Sequence, residues 1–328
     1  MINKLLLILN LLIIKDNIKK IHLIALVIQI SFAFTSFGQE AKVKKTLEEL
    51  RLQVTKSQKT VDDKILFKPG NEVYVMSFSG ILLTDTLSDA RLRGISVIAR
   101  VAYKSTDTSY RRWTVNKLLT YFRDPNAGVT DMAAKYLTGF KINDFDAIAK
   151  DTIRKLLPGV KNHYNVLIKI SGFAGLKDQA PILKKILLEG NLSAPQKWAA
   201  ILALARLGEE EYIALCMLMV QKIPVNDNMV YQTLPDLIYT RQRAIFDYLV
   251  DLVNSNKTDC HSPNPNFSGK IMCAYRVMES LANVIDGFPV KTGPSGDLIT
   301  DDYENALETT RNWLIENKDK YQINVNSY

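Results

Sequence analysis

The chain has 328 residues, 47% of them hydrophobic and 23% charged, with 15 Gly, 11 Pro, three Cys, three His and a formal net charge of +8. Ample apolar content with sparse glycine, proline and cysteine excludes a disordered chain, a collagen-like chain and a small disulfide framework. Three histidines also leave little for chemistry that needs several imidazoles.

Residues 1–38 differ from the rest. Lys4, Lys15, Lys19 and Lys20 punctuate an apolar start, Ile21 to Phe37 carries no charge, and Ser36-Phe37-Gly38 supplies a small-x-small end before Gln39-Glu40. A basic region, an apolar run and a small-residue site are the parts of a secretory signal peptide. The apolar run is short for a stable span, which needs ~20 apolar residues. Cleavage near Gly38 is therefore expected, with an uncleaved signal anchor as the alternative. The mature chain would have 290 residues and a net charge of +5. Its expected location is exported: periplasm, cell envelope or extracellular space. A surplus this small, interleaved with acids, lacks the basic stripe of a nucleic-acid binder. The densest basic run, Lys42 to Lys59, also holds Glu48 and Glu49 and reads as a solvated helix.

Residues 39–88 predict an N-terminal helix (Lys42–Gln58), a turn at Lys68-Pro69-Gly70-Asn71, and an apolar segment, Glu72–Leu83. Periodicity leaves strand and buried helix open for that segment. Helix is favoured, as part of a degenerate first repeat, because a lone strand has no partner.

Residues 89–256 read as paired helices, beginning with Leu92–Tyr103 and Trp113–Phe122. Met132, Ala133, Tyr136, Leu137 and Phe140 form one helical face, and Phe145, Ile148, Ala149, Ile153 and Leu156 the next. Asn143-Asp144 is a candidate N-cap between them, and Leu157-Pro158-Gly159 a stop. Aligning Gly139-Phe140, Gly172-Phe173, Ala205-Arg206 and Asp236-Leu237 gives steps of 33, 33 and 31 residues. A fixed period with two helices per unit predicts an all-α chain, a right-handed α-solenoid of about five to six antiparallel helix pairs, since one pair cannot bury its apolar faces alone. Pro235, inside an otherwise helical pattern, should kink its helix.

Two units resemble the HEAT-repeat family. One carries Asp124-Pro125, Val129, Ala133-Ala134, Leu137 and Gly139, with Thr130 where the family often has Arg. The other carries Ser193-Ala194-Pro195, Lys197, Ala199-Ala200, Ala203-Leu204-Ala205 and Leu207-Gly208, with Ser193 and Gln196 as a capping box. The resemblance implies a superhelical scaffold and no particular activity.

Residues 257–328 should form a closed loop and a capping helix pair, Ser268–Asp286 and Asp301–Lys318, with Asp301 and Glu304 capping the last helix. Cys260 and Cys273 flank a turn-rich loop and are expected to form a disulfide, worth about 3 kcal/mol in the chain-entropy account. A Cys260-His261…Cys273 metal site is the weaker alternative, lacking a fourth ligand. Cys216 reads as a buried hydrophobe.

The chemical search finds no His-Glu-x-x-His, phosphate-binding loop, nucleophile elbow or calcium loop. His22 lies in the signal, and His163 reads as a surface residue at a helix start. Gly293-Pro294-Ser295-Gly296 reads as a turn. No catalytic residue, cofactor or metal site is expected. Aromatic and arginine residues on a solenoid surface are the usual anchors for partners, which makes Tyr231, Tyr239, Arg241 and Arg243 the candidate partner-binding residues. The leading functional expectation is a non-enzymatic scaffold for an unknown protein or peptide. An enzyme accessory or lyase-like protein, and a self-associating spacer, are the alternatives.

Overall fold

A computed structural model describes residues 38–54, 60–159, 163–189, 192–262, 268–293 and 296–328. The predicted signal peptide lies outside them except for Gly38, as do parts of the predicted 42–58 helix and of the turns near residues 263–267 and 294–295. The described chain is mostly helical, and none of its helices is long and apolar enough to cross a membrane. It divides into two compact units, residues 1–110 and 111–328.

In the first unit, α1 (residues 38–54) buries Val43, Leu47 and Leu50 on one face. The ambiguous apolar segment is helical, as α2 (Glu72–Phe78) and α3 (Gly80–Leu83), and both pack on α4 (Ser88–Lys104). Gly94 makes that packing possible. A Cβ there would lie 2.9 Å from both Leu82 Cβ and Leu83 Cδ2.

The second unit starts within α5 (Thr108–Thr120) and continues through ten helices in chain order: α6 (Ala127–Leu137), α7 (Ala147–Leu156), α8 (Tyr164–Phe173), α9 (Ala180–Glu189), α10 (Ala194–Arg206), α11 (Glu210–Val220), α12 (Leu234–Thr240), α13 (Arg243–Val253), α14 (Ala274–Ala282) and α15 (Tyr303–Asn317). The even-numbered helices pack in succession, α6 on α8, α8 on α10, α10 on α12 and α12 on α14. The odd-numbered ones pack beside them, α7 on α8, α9 and α11 on α10, α13 on α11 and α12, and α15 on α13 and α14.

Local chemistry explains several boundaries. The Ser193–Gln196 capping box forms at α10, with the Ser193 N–H donating to Gln196 Oε1 at 3.0 Å. Two expected caps are displaced. The α7 cap is Asp146, which accepts from the Ala149 N–H at 2.9 Å, because Asp144 is held in a short 3₁₀ turn by Arg111. The α15 cap is Asp302 rather than Asp301, accepting from the Asn305 N–H. Pro235 acts through the turn before it: lacking an N–H, it cannot close the usual helical bond, and Met229–Thr233 adopts a π-turn leading into α12. Cys260 and Cys273 are bonded, with Sγ atoms 2.06 Å apart, and close a short hairpin that the sequence pattern does not announce: β1 (Cys260–His261) antiparallel to β2 (Lys270–Ile271). Cys216 is buried, and that burial pushes its thiol up to about 12.

Helices α8 and α10 cross closely at Gly172. A Cβ there would lie 2.6 Å from Tyr239 Oη and 2.8 Å from Ala203 Cα. Tyr239 Oη donates to the Lys169 carbonyl at 2.5 Å, so three helices meet at one glycine. Gly172→Ala must push them apart and should cost about 1–3 kcal/mol in denaturant unfolding. Gly80→Ala, with open space at its Cβ, should cost nothing measurable.

Candidate functional site

Residues 321–328 form a non-helical strap within the second unit. It begins at α14, where the Asp286 N–H donates to the Gln322 carbonyl at 3.0 Å and the Asn324 N–H to the Val284 carbonyl at 2.8 Å. It then passes α12 and α10. Arg241 donates from Nε to the Asn324 carbonyl (2.7 Å) and from Nη2 to the Ser327 hydroxyl (2.9 Å) and a main-chain oxygen of Tyr328 (3.3 Å). Arg206 donates from Nη2 to the carbonyls of Val325 (3.1 Å) and Ser327 (3.0 Å), and from Nη1 to the Tyr239 carbonyl. Beyond α6, the Ile142 N–H donates to the Asn326 carbonyl at 3.0 Å.

The strap ends in an aromatic notch. The Tyr328 ring centre is 5.6 Å from Phe173 and 5.1 Å from Tyr239, and Lys169 Nζ sits 5.4 Å over it. Lys169 is fixed from behind by Asp236 at 2.7 Å, which also accepts from the Trp198 indole.

Their spacing explains why these side chains converge. Phe140, Phe173, Arg206 and Tyr239 follow one another at intervals of 33 residues and stand at or just past the ends of α6, α8, α10 and α12. The strap touches Phe173, Arg206 and Tyr239. The Asp236-Leu237 alignment was out of phase: that pair lies inside α12, whose end is at Thr240.

The four sequence candidates divide, and two need correction. Tyr239 and Arg241 are not exposed anchors; they are 2% and 7% exposed, covered by the strap. Arg241 takes a left-handed backbone (φ 55°) as the C-cap of α12, which turns its side chain back along the helix end. Arg243 lies nearby, paired with Asp247 at 2.8 Å, over the Tyr321 ring, and donating to the Lys318 carbonyl. Tyr231 is half exposed at a separate hollow beside α14. Arg206 and the strap itself escaped sequence reasoning, although continuing the 33-residue step would have placed Arg206 and Tyr239 in one row.

The electrostatics are unusual. Arg206 and Arg241 have no aspartate or glutamate partner among the described residues; their acceptors are main-chain oxygens and a hydroxyl. Burial holds both guanidiniums below the ordinary arginine range, and Arg206 beside it helps bring Arg241 to about 10. Burial likewise pushes the Tyr239 and Tyr328 phenols up.

The histidines build no comparable centre. His163 faces Asp131 at 3.5 Å. His261 Nδ1 pairs with Asp227 Oδ2, and its N–H donates to Asp227 Oδ1 at 2.9 Å, in an open cleft of about 420 Å³ rimmed by Asp259 and Lys270. Among the described residues no three His, Cys, Asp or Glu side chains gather as a metal site. The chain matches no protein family, no curated protein and no solved structure.

The buried phenols set a pH dependence. Burial raises Tyr239, Tyr321 and Tyr328 above the unfolded value near 10, so their contribution is complete below pH ~10 and is lost as pH rises above it. Arg206 and Arg241, both shifted downward, oppose this as two groups against three. Stability should fall above pH 10, with tyrosinate absorbance and helix loss in one transition. Tyrosines that all ionise near pH 10 in an intact fold would contradict this.

Proposed function

We propose that the chain is a non-enzymatic, exported HEAT-like α-solenoid whose role is to hold a protein or peptide partner. Two layers of successively packed helices support the solenoid reading, because each helix pair finds cover for its apolar face only on its neighbours. The signal-like first 38 residues and the Cys260–Cys273 bond support export into an oxidising compartment.

The observation that carries the binding role is the strap. A non-helical segment crosses the helix ends and is gripped largely through its backbone carbonyls, by Arg206 and Arg241. Backbone capture is tolerant of sequence, while the notch of Phe173, Tyr239 and Lys169 selects an aromatic side chain. Those are the two ingredients of peptide recognition: main-chain bonds for affinity and a pocket for specificity. On this reading the partner contributes an extended segment with an aromatic residue, and the strap holds the same track within the chain.

A chain lacking residues 324–328 should bind a synthetic Ile323–Tyr328 peptide, capped at both ends, and Arg206→Ala should weaken that binding by about tenfold or more, as expected for loss of bonds to a charged group. The full chain should bind it poorly, its track being filled. A truncated chain that keeps its helical spectrum and binds no better than the full chain would count against the reading.

A further inference from the structure

Helix α11 lacks the charged outer face that a solvated helix carries. From Tyr212 to Val220 it has no charged side chain, yet only Cys216 and Val220 are buried, on the side turned to the core. On the opposite side Ala214 is exposed, Leu215 is half-buried, and Leu218 and Met219 are 54% and 41% exposed. Other odd-numbered helices put charge in that place: Asp151 and Lys155 on α7, Lys185 on α9 and Asp251 on α13 are all exposed. Single apolar residues on a surface are normal, whereas a continuous apolar stripe marks a face that something covers.

The charges that flank the stripe narrow what covers it. Glu211, Ala214, Leu215, Leu218 and Lys222 follow one another at helical spacing, so an acid, an apolar middle and a base lie along one line. Gln221 keeps a right-handed helical backbone past the end of α11, and the Lys222 N–H donates to the Met219 carbonyl at 3.3 Å, which holds Lys222 to that line. At the acidic end Lys184 is shared between Glu209 and Glu211, 2.7 Å from each, and Glu210 is exposed, so that end stays negative.

The line is self-complementary about a point midway between Cys216 and Met217. A second, antiparallel copy turned about that point sets Leu215 against Leu218, Ala214 against Met219 and Glu211 against Lys222, each twice. A two-fold interface demands this match, because the same patch must serve both sides. A parallel copy would set acids against acids. The helix dipole favours an acid first and a base last, but it does not place both of them on the apolar line. A lipid surface fits poorly, since helices that lie on membranes carry Lys and Arg on the polar face, and here Glu209, Glu210 and Glu211 lead. We propose that α11 is a self-association face, on which a second copy of this chain packs its own α11 antiparallel across a two-fold axis, with Leu215 and Leu218 at the centre and a Glu211 to Lys222 pair at either end. This face is separate from the strap track and does not depend on it.

Sedimentation equilibrium of the full, oxidised chain tests the assignment. A contact one helix long is small for an interface, so the parent should pass from monomer to dimer with a Kd on the order of 10–100 µM. Leu218→Glu should weaken association by about tenfold or more, because it puts a carboxylate into the apolar centre twice per dimer. Lys222→Glu should weaken it by about threefold or more, and adding Glu211→Lys should restore it, since the exchanged pairs are again opposite in sign. All three positions are exposed, and circular dichroism checks that the variants stay folded. The assignment is overturned if the parent stays a monomer throughout, if Leu218→Glu dimerises as well as the parent, or if the double exchange dimerises no better than Lys222→Glu alone. A monomeric parent that floats with phosphatidylglycerol vesicles, and loses this in Leu218→Glu, would give the face to lipid and overturn it too.

Discussion

A buried guanidinium, Arg241, and a partly buried one, Arg206, neither with an aspartate or glutamate partner among the described residues, set the organisation of the second unit. Taking Arg206 and Arg241 out of water is costly, and a buried charge is tolerated only when its donors are fully used. Here the acceptors are the main-chain oxygens of Asn324, Val325, Ser327 and Tyr328 and the Ser327 hydroxyl, together with carbonyls at the end of α12. Removing the strap would therefore expose helix ends and strand two cations at once. The dependence is mutual, since residues 321–328 have no regular partner strand beyond the single bridge of Ile323 to Ile285. Their order derives from the row of side chains beneath them and from the backbone bonds made by the Ile142, Asp286 and Asn324 N–H groups.

That row exists because the 33-residue spacing keeps step with the helix ends. Residues 33 apart occupy equivalent helix ends, so Phe173, Arg206 and Tyr239 line up although they differ chemically: a ring, a cation, and a ring with a hydroxyl. The helices must also approach closely for the row to be continuous. Gly172 against Ala203 allows α8 and α10 to touch, and the Tyr239 hydroxyl reaches the Lys169 carbonyl over the same glycine. Packing and recognition thus share residues. Tyr239 ties α12 to α8 with its hydroxyl and presents its ring to Tyr328.

The sequence exposes the helical pairing well because amphipathic helices repeat their apolar residues with the period of the helix, and because capping residues such as Ser193 and Gln196 act locally. The 260–273 disulfide was also legible, from two cysteines flanking turn-formers. What stayed hidden depends on distant contacts. Asp144 looks like a cap until Arg111, 33 residues earlier, claims it. Tyr239 and Arg241 look exposed because the segment that buries them lies more than 80 residues downstream and carries no periodic pattern of its own. The hairpin at 260–271 is only two residues per strand, too short for alternation to signal it. Tyr231 is half exposed, as a surface aromatic should be.

The strap's claim to hold the helix ends as a set is tested most directly by amide hydrogen exchange. If the account is right, the N–H groups of Ile142, Asp286 and Asn324, which mark three points along the strap, exchange slowly in the parent chain. All three should then lose protection together when Arg206 and Arg241 are both replaced by Ala. Rapid, unprotected exchange at these amides in the parent, or protection that survives the double replacement at one point and fails at another, would contradict it.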